Sequence, residues 1–250
     1  MKIGRCAVAG EEYYCVVKDA EVHLLSSHPF ESITYKGLVF KKKDIKFLPP
    51  VKPSKIVAIG LNYKAHAQEF EKSMPDEPLI FIKPSTALIG DGDGIIYPAM
   101  SKRVDYEGEL AVVIGREASH INMEEAKNYI FGYTIMNDVT ARDLQAKDVQ
   151  YTRAKGFDTF APVGPWIETD IDPGNLSIKT YVNNVLKQEG STSDMHFTPY
   201  YIVSFVSRIM RLLPGDIIST GTPPGIGPMN RGDSVEVEIQ GIGRLHNRIL

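Results

Sequence analysis

The sequence is short of cysteine, of uninterrupted apolar runs and of surplus positive charge, and each shortage removes a class of function. Only Cys6 and Cys15 occur in 250 residues. That is too few for a disulfide framework, so both are expected to be packing residues of a chain in a reducing compartment. No apolar stretch approaches the ~18 residues of a membrane helix, and Glu11 and Glu12 interrupt the apolar start that a secretory signal would need. A cytoplasmic protein with no membrane partner is the expectation. Net charge is −3, and the one basic run, Lys41-Lys42-Lys43, is short and followed by Asp44. No basic face for a phosphate backbone follows from this, so nucleic acid is excluded as a partner. There is no Cys/His cluster for zinc, no Gly-Lys-Ser/Thr phosphate loop, no internal repeat and no low-complexity segment.

What is present is an ordinary globular composition, 43% apolar and 24% charged, long enough for one domain or one and a half. The proline-rich stretch Leu48-Pro49-Pro50-Val51-Lys52-Pro53 reads as a seam between a small N-terminal subdomain, residues 1–52, and a main unit, residues 53–250. Strands are expected at residues 2–9, 13–17, 22–25, 55–60, 79–83, 109–115, 131–137, 177–182, 216–219 and 234–239. A short polar helix is expected from about 64 to 72 and a longer one over 139–154. A third, over 198–213, has Thr198 as N-cap and Pro199 as first residue, with Ile202, Phe205, Val206, Ile209, Met210 and Leu213 as a buried stripe. Strands outnumber helices without alternating regularly with them, which predicts a strand-rich α+β roll, not a doubly wound parallel sheet.

The chemistry concentrates in Val104-Asp105-Tyr106-Glu107-Gly108-Glu109-Leu110. On a strand, Glu107 and Glu109 project to one face and repel unless something positive lies between them. Alone, such a pair also fits two solvated positions on an edge strand. The next apolar strand ends at Asn137-Asp138 and adds a third carboxylate. Three carboxylates in a mostly buried sheet are costly without a cation, and a hard divalent ion (Mg²⁺, Mn²⁺ or Ca²⁺) suits them. Gly108 is expected to let a ligand or backbone approach closely. If Asp138 starts a helix, Arg142 and Gln145 share its face, either as a solvated ion pair or as a fork aimed at a substrate carboxylate. His66 and Glu69, three apart on the short helix, form either a surface pair or an oriented general base on a mobile lid. Lys155, in Lys155-Gly156-Phe157-Asp158-Thr159-Phe160, can come near a metal. The stretch from Thr220 to Gly227 resembles a backbone cradle for an anion.

Taken together these residues resemble the fumarylacetoacetate hydrolase family. The matching pieces run in the family's order over about residues 54–240: Gly60-Leu61-Asn62-Tyr63 with His66 and Glu69, Phe81-Ile82-Lys83-Pro84-Ser85, Asp105-Tyr106-Glu107-Gly108-Glu109, the segment from Asn137 to Gln145, Lys155 to Phe160, Gly164-Pro165-Trp166 and Thr220-Gly221-Thr222-Pro223. The resemblance implies a mixed β-roll, usually a homodimer, and an Mg²⁺- or Mn²⁺-dependent enzyme that breaks or rearranges C–C bonds beside a 2-oxo acid. It implies Glu107, Glu109 and Asp138 as metal ligands and His66 with Glu69 as the water-activating dyad. Arg142, Gln145, Lys155 and Thr222 are implied as substrate contacts. Two departures count against the large hydrolase of tyrosine breakdown: the N-terminal unit is short, and residues 60–63 offer no carboxylate. Many short acylpyruvase- and oxaloacetate-decarboxylase-like members carry arginine where this chain has Leu61. The expected activity is hydrolysis or decarboxylation of small 2-oxo acids. Its rivals are an isomerase or decarboxylase of a 2-hydroxyhepta-2,4-diene-1,7-dioate-type compound and a non-catalytic, metal-stabilised binding protein.

Overall fold

The computed structural model describes every residue except Phe70 and Lys72. At its centre lies the strand Gly108–Ile114, buried along its whole length. Leu110, Val112 and Ile114 enter one core and Ala111 and Val113 a second one behind the sheet, which is why this segment reads as a continuous apolar run. Its neighbours are Ile130–Asn137 on one side and Ile217–Ser219 on the other, both antiparallel. Beyond the latter come Ile56–Gly60, parallel, and Leu79–Lys83 at the sheet edge.

On the other side of Ile130–Asn137 lies Ala161–Glu168, then the N-terminal meander Lys2–Val8, Glu11–Lys18, Glu21–Leu25 and Tyr35–Lys41. The N-terminal strands therefore extend the same sheet. A second, five-stranded sheet (Val185–Ser191, Ser177–Val182, Ser234–Ile239, Gly243–Ile249, Gly94–Ile95) covers one face, placing Ile178, Val237, Ile239 and Leu245 in the core with Leu110 and Val112. A three-stranded sheet joins Thr140–Ala141, Val104–Tyr106 and Gly227–Met229. The strand-rich α+β expectation is met. Cys6 and Cys15 are buried and unbridged.

The four α-helices among the described residues are short: α1 (Lys64–Glu69), α2 (Arg142–Lys147), α3 (Thr152–Lys155) and α4 (Pro199–Ile209). None is long and apolar enough to cross a membrane. The expected end of the first helix, residues 70 and 72, lies outside the described residues. The helix expected over 139–154 is a misreading. Thr140 and Ala141 are extended and pair with Asp105 and Val104, and the remainder splits into α2 and α3. Asp138 thus directly follows the end of a strand instead of starting a helix.

The helix α4 has the expected cap, the Thr198 hydroxyl accepting from the Tyr201 N–H at 3.3 Å, with Pro199 at its first turn. It stops at Ile209, four residues early, because Met210 turns extended and Leu212 bridges to Ala118. Ile209 and Leu213 are exposed. The buried stripe is Ile202, Val203 and Val206, flanked by Ser204, whose hydroxyl donates to the Ile121 carbonyl at 2.8 Å, and Ser207.

Candidate active site

The strand ends Glu107–Glu109 and Asn137–Asp138 lie side by side, Gly108 paired with Asn137, and the Asn137 carboxamide oxygen accepts the Glu107 N–H at 2.9 Å. This brings Glu107, Glu109 and Asp138 together, all buried, with one oxygen of each within 4.8 Å of the others. They lie in a cleft whose lining also includes Leu61, His66, Phe81, Arg142, Gln145, Tyr151, Lys155 and Thr222. All nine residues singled out from the sequence thus converge on one place, Glu69 reaching it through His66. Gly108 has a different reason from the one expected. A Cβ there would point away from the carboxylates, 2.4 Å from the Thr180 hydroxyl and 2.9 Å from Val237; the glycine lets the second sheet come close.

The carboxylates divide by environment. Lys155 donates to Glu107 at 2.8 Å and to Asp138 at 2.5 Å. Arg142 adds a hydrogen bond to Glu107, a second to Asp105 at 2.9 Å and a third to the Gln145 carboxamide oxygen at 2.5 Å. Burial alone would push the Glu107 carboxyl up, but Lys155 and Arg142 outweigh it and hold the group well below the usual carboxylate range. The same attraction, from Asp138 and Glu107, overcomes burial to raise Lys155. Glu109 runs the other way. Its hydrogen bonds come from neutral groups, the Ser219 hydroxyl at 2.5 Å and the Gly221 N–H at 2.8 Å. Burial, then the charges of Asp138 and Glu107, push its carboxyl well above the ordinary value.

Lys83 is the functional candidate to which sequence reasoning gave no role. It is fully buried, and its ammonium donates to Asp138 and, at 3.0 Å, to the Val139 carbonyl. Burial lowers it to about 8 against the pull of Asp138. The available signal was a lone lysine closing the apolar strand Leu79–Lys83.

The dyad forms as expected, His66 Nδ1 lying 3.0 Å from Glu69 Oε2. The Gly225 N–H holds the other Glu69 oxygen at 2.8 Å. The anion cradle expected of the Thr220–Gly227 stretch therefore serves the chain's own carboxylates, Glu109 through Gly221 and Glu69 through Gly225. Thr222 donates to the Gly108 carbonyl at 2.9 Å.

Residues 55–250 match the fumarylacetoacetate (FAA) hydrolase C-terminal family, and residues 1–50 match the Rv2993c-like N-terminal family. The chain belongs to the fumarylacetoacetate hydrolase family. It is 42% identical to a 5-carboxymethyl-2-hydroxymuconate delta-isomerase from Mycobacterium smegmatis, whose crystal structure superposes with a TM-score of 0.95 over 100% of this chain and 99% of the other. A rat mitochondrial oxaloacetate tautomerase, Fahd2a, is 40% identical over 84% of this chain and 71% of its own length. Maleylpyruvate hydrolase from Sphingobium sp. SYK-6, solved with a manganese(II) ion and pyruvate, is 29% identical with a TM-score of 0.84, covering 100% of this chain and 99% of the other. Fumarylacetoacetate hydrolase-family enzymes similar to this one thus include an isomerase, a tautomerase and a hydrolase, and the buried acidic triad could hold a metal ion.

Proposed function

We propose that this chain is a divalent-metal-dependent enzyme of small 2-oxo acids, using Mg²⁺ or Mn²⁺ to hydrolyse acylpyruvates or decarboxylate oxaloacetate. The observation that carries the reading is the convergence of three buried carboxylates in one cleft with a His–Glu pair. The donor set fits a hard cation: all ligands are carboxylate oxygens, and Glu109 is left with neutral donors and a raised proton affinity. Glu107, Glu109 and Asp138 would hold the ion, which supplies a Lewis acid for the 2-oxo acid head.

The protein's own groups do the rest. Arg142, Gln145 and Thr222 orient the substrate, and Lys155 keeps Glu107 ionised and ties it to Asp138. Glu69, pinned by the Gly225 N–H, fixes the ring of His66 through Nδ1, so Nε2 takes the proton from water as it attacks the distal carbonyl. The C–C bond breaks and pyruvate leaves as its enol. Loss of CO₂ from oxaloacetate needs no attacking water. A second reading, movement of a proton between carbons of a hydroxy-diene-dioate or of enol-oxaloacetate, is supported by the likeness to the named isomerase and tautomerase and uses the same groups. The reading includes a homodimer, supported by the exposed Leu79 and Ile82 on an edge strand and checked by sedimentation.

Assays of purified protein with all three substrate types, with and without Mg²⁺ or Mn²⁺, test the proposal. His66→Ala should lower acylpyruvate hydrolysis by ~10²–10⁴ and oxaloacetate decarboxylation distinctly less, read as kcat/KM for both on one variant. Equal losses would remove the water-activating role. Turnover of none of the substrates, with metal raising only the melting temperature, would support the non-catalytic alternative.

A further inference from the structure

The strand Val185–Ser191 forms the outer edge of the five-stranded sheet, and Gln188 is its one buried side chain. Its carboxamide is fully used. Oε1 accepts the Gly108 N–H at 3.0 Å and the Thr180 hydroxyl at 2.9 Å, while Nε2 donates to the Thr222 hydroxyl at 2.9 Å and to the Pro223 carbonyl at 2.9 Å. The Gly108 N–H can only donate and the Pro223 carbonyl can only accept, so the amide orientation is fixed by chemistry. Thr222, accepting from Gln188, passes its own hydroxyl proton to the Gly108 carbonyl. Between them, Gln188 and Thr222 satisfy both backbone groups of the residue that separates Glu107 from Glu109.

A ladder partner is missing at this point. The strand Ile217–Ser219 pairs with Gly108–Ile114 through Ala111↔Ser219, and the Thr220 N–H still reaches the Leu110 carbonyl. The chain then leaves the sheet in the glycine-rich loop. Two side chains take the place of the next backbone pair, and the loop is packed tightly enough that a Cβ on Gly225 would come within 2.6 Å of the Lys187 carbonyl.

We propose that Gln188 is a positioning residue for the metal site, holding the Glu107–Gly108–Glu109 backbone and the Thr222 loop in one register. The proposal rests on the metal reading above. Carboxylate ligands must be held by partners to bind an ion tightly, and removing such outer partners typically costs ~10–100-fold in metal affinity. None of the four hydrogen bonds of Gln188 goes to a proposed ligand side chain; the one to the Gly108 N–H reaches Glu107 and Glu109 through the backbone.

The test is calorimetric titration of Mn²⁺ into the full-length wild type and Gln188→Met at a temperature where both are folded, with hydrogen exchange at the Gly108 amide. The expected result is a Kd raised ~10–100-fold and lost protection at Gly108. A role in general folding alone predicts a lower melting temperature with Kd within twofold of wild type, and that result overturns the proposal. If Gln188→Met does not fold, Gln188→Glu, which keeps the shape but cannot donate to Thr222 or Pro223, is read by the same thresholds. Failure of the wild type to bind Mn²⁺ would instead overturn the metal reading, and the proposal with it.

Discussion

Glu109 is the residue at which the energetics of the site are most exposed. Burial and two neighbouring carboxylates give its folded state a higher proton affinity than the unfolded chain has. The metal-free protein therefore loses stability as pH rises from the ordinary glutamate value through the raised one. Glu107 has the opposite sign: its lowered pKa contributes stability above the ordinary value, lost as pH falls through the lowered one. A cation bound as proposed would relieve Glu109 and have to displace its proton, so metal affinity should climb with pH. Glu109→Gln is accordingly expected to raise the melting temperature of the metal-free protein at pH 8, by ~2–4 °C per kcal/mol relieved. It should also abolish the metal-induced gain, which for the wild type at 100 times Kd is ~2.7 kcal/mol. Thermal melts with and without Mn²⁺ decide the matter. A variant that melts lower without metal, or still gains with it, would mean that Glu109 is no ligand.

At the scale of elements, the helix α1 carries the dyad and has little to hold it. Six residues are too few for a helix to persist by itself; His66 and Ala67 are its only buried side chains, and one hydrogen bond from the Gly225 N–H ties down its last residue. Such a segment opens at low cost. Amide exchange over residues 64–76 should slow when oxalate and Mn²⁺ are added, and equal exchange in both states would count against a lid.

The sequence made α1 legible because its polarity is a local signal. It also made the three carboxylates legible, because strand alternation fixes a common face for Glu107 and Glu109. It hid Ala161–Glu168, a strand near the middle of the sheet, because Pro162 and Pro165 speak against a strand locally while tertiary pairing on both sides decides otherwise. The 139–154 segment misled for the converse reason. Its polar, helix-tolerant composition is overruled at Thr140, whose hydroxyl donates to the Asp138 carbonyl at 2.8 Å and to Glu107 at 3.1 Å. Lys83 reaches Asp138 across 55 positions and Gln188 reaches Gly108 across 80, separations no local pattern reports.

For the whole molecule, the question is whether residues 1–52 stand apart. The proline-rich seam and the separate family match of residues 1–50 suggest a module, but the packing runs through it. Ile3, Val16 and Leu25 share one core with Ala161, Val163 and Ile167. Cys6, Cys15, Val17, Val22, Leu24 and Phe47 belong to the core that contains Trp166, and Phe47 meets that indole edge-on at 5.9 Å between ring centroids. Burying a Val, Leu, Ile or Phe side chain is worth ~1.5–3 kcal/mol, so seven such side chains together match or exceed the ~5–15 kcal/mol net stability of a typical protein. Removing the meander would also bare the edge of Ala161–Glu168, where Lys2 and Ile3 now pair with Glu168 and Ile167. The N-terminal strands and the catalytic unit should therefore melt together. Calorimetry of the intact chain is expected to show one transition whose calorimetric and van't Hoff enthalpies agree per cooperative unit, and a chain lacking residues 1–52 should be insoluble. Two resolved transitions, or a soluble and active truncated enzyme, would show that the seam at Pro49–Pro53 is a domain boundary in the energetic sense as well.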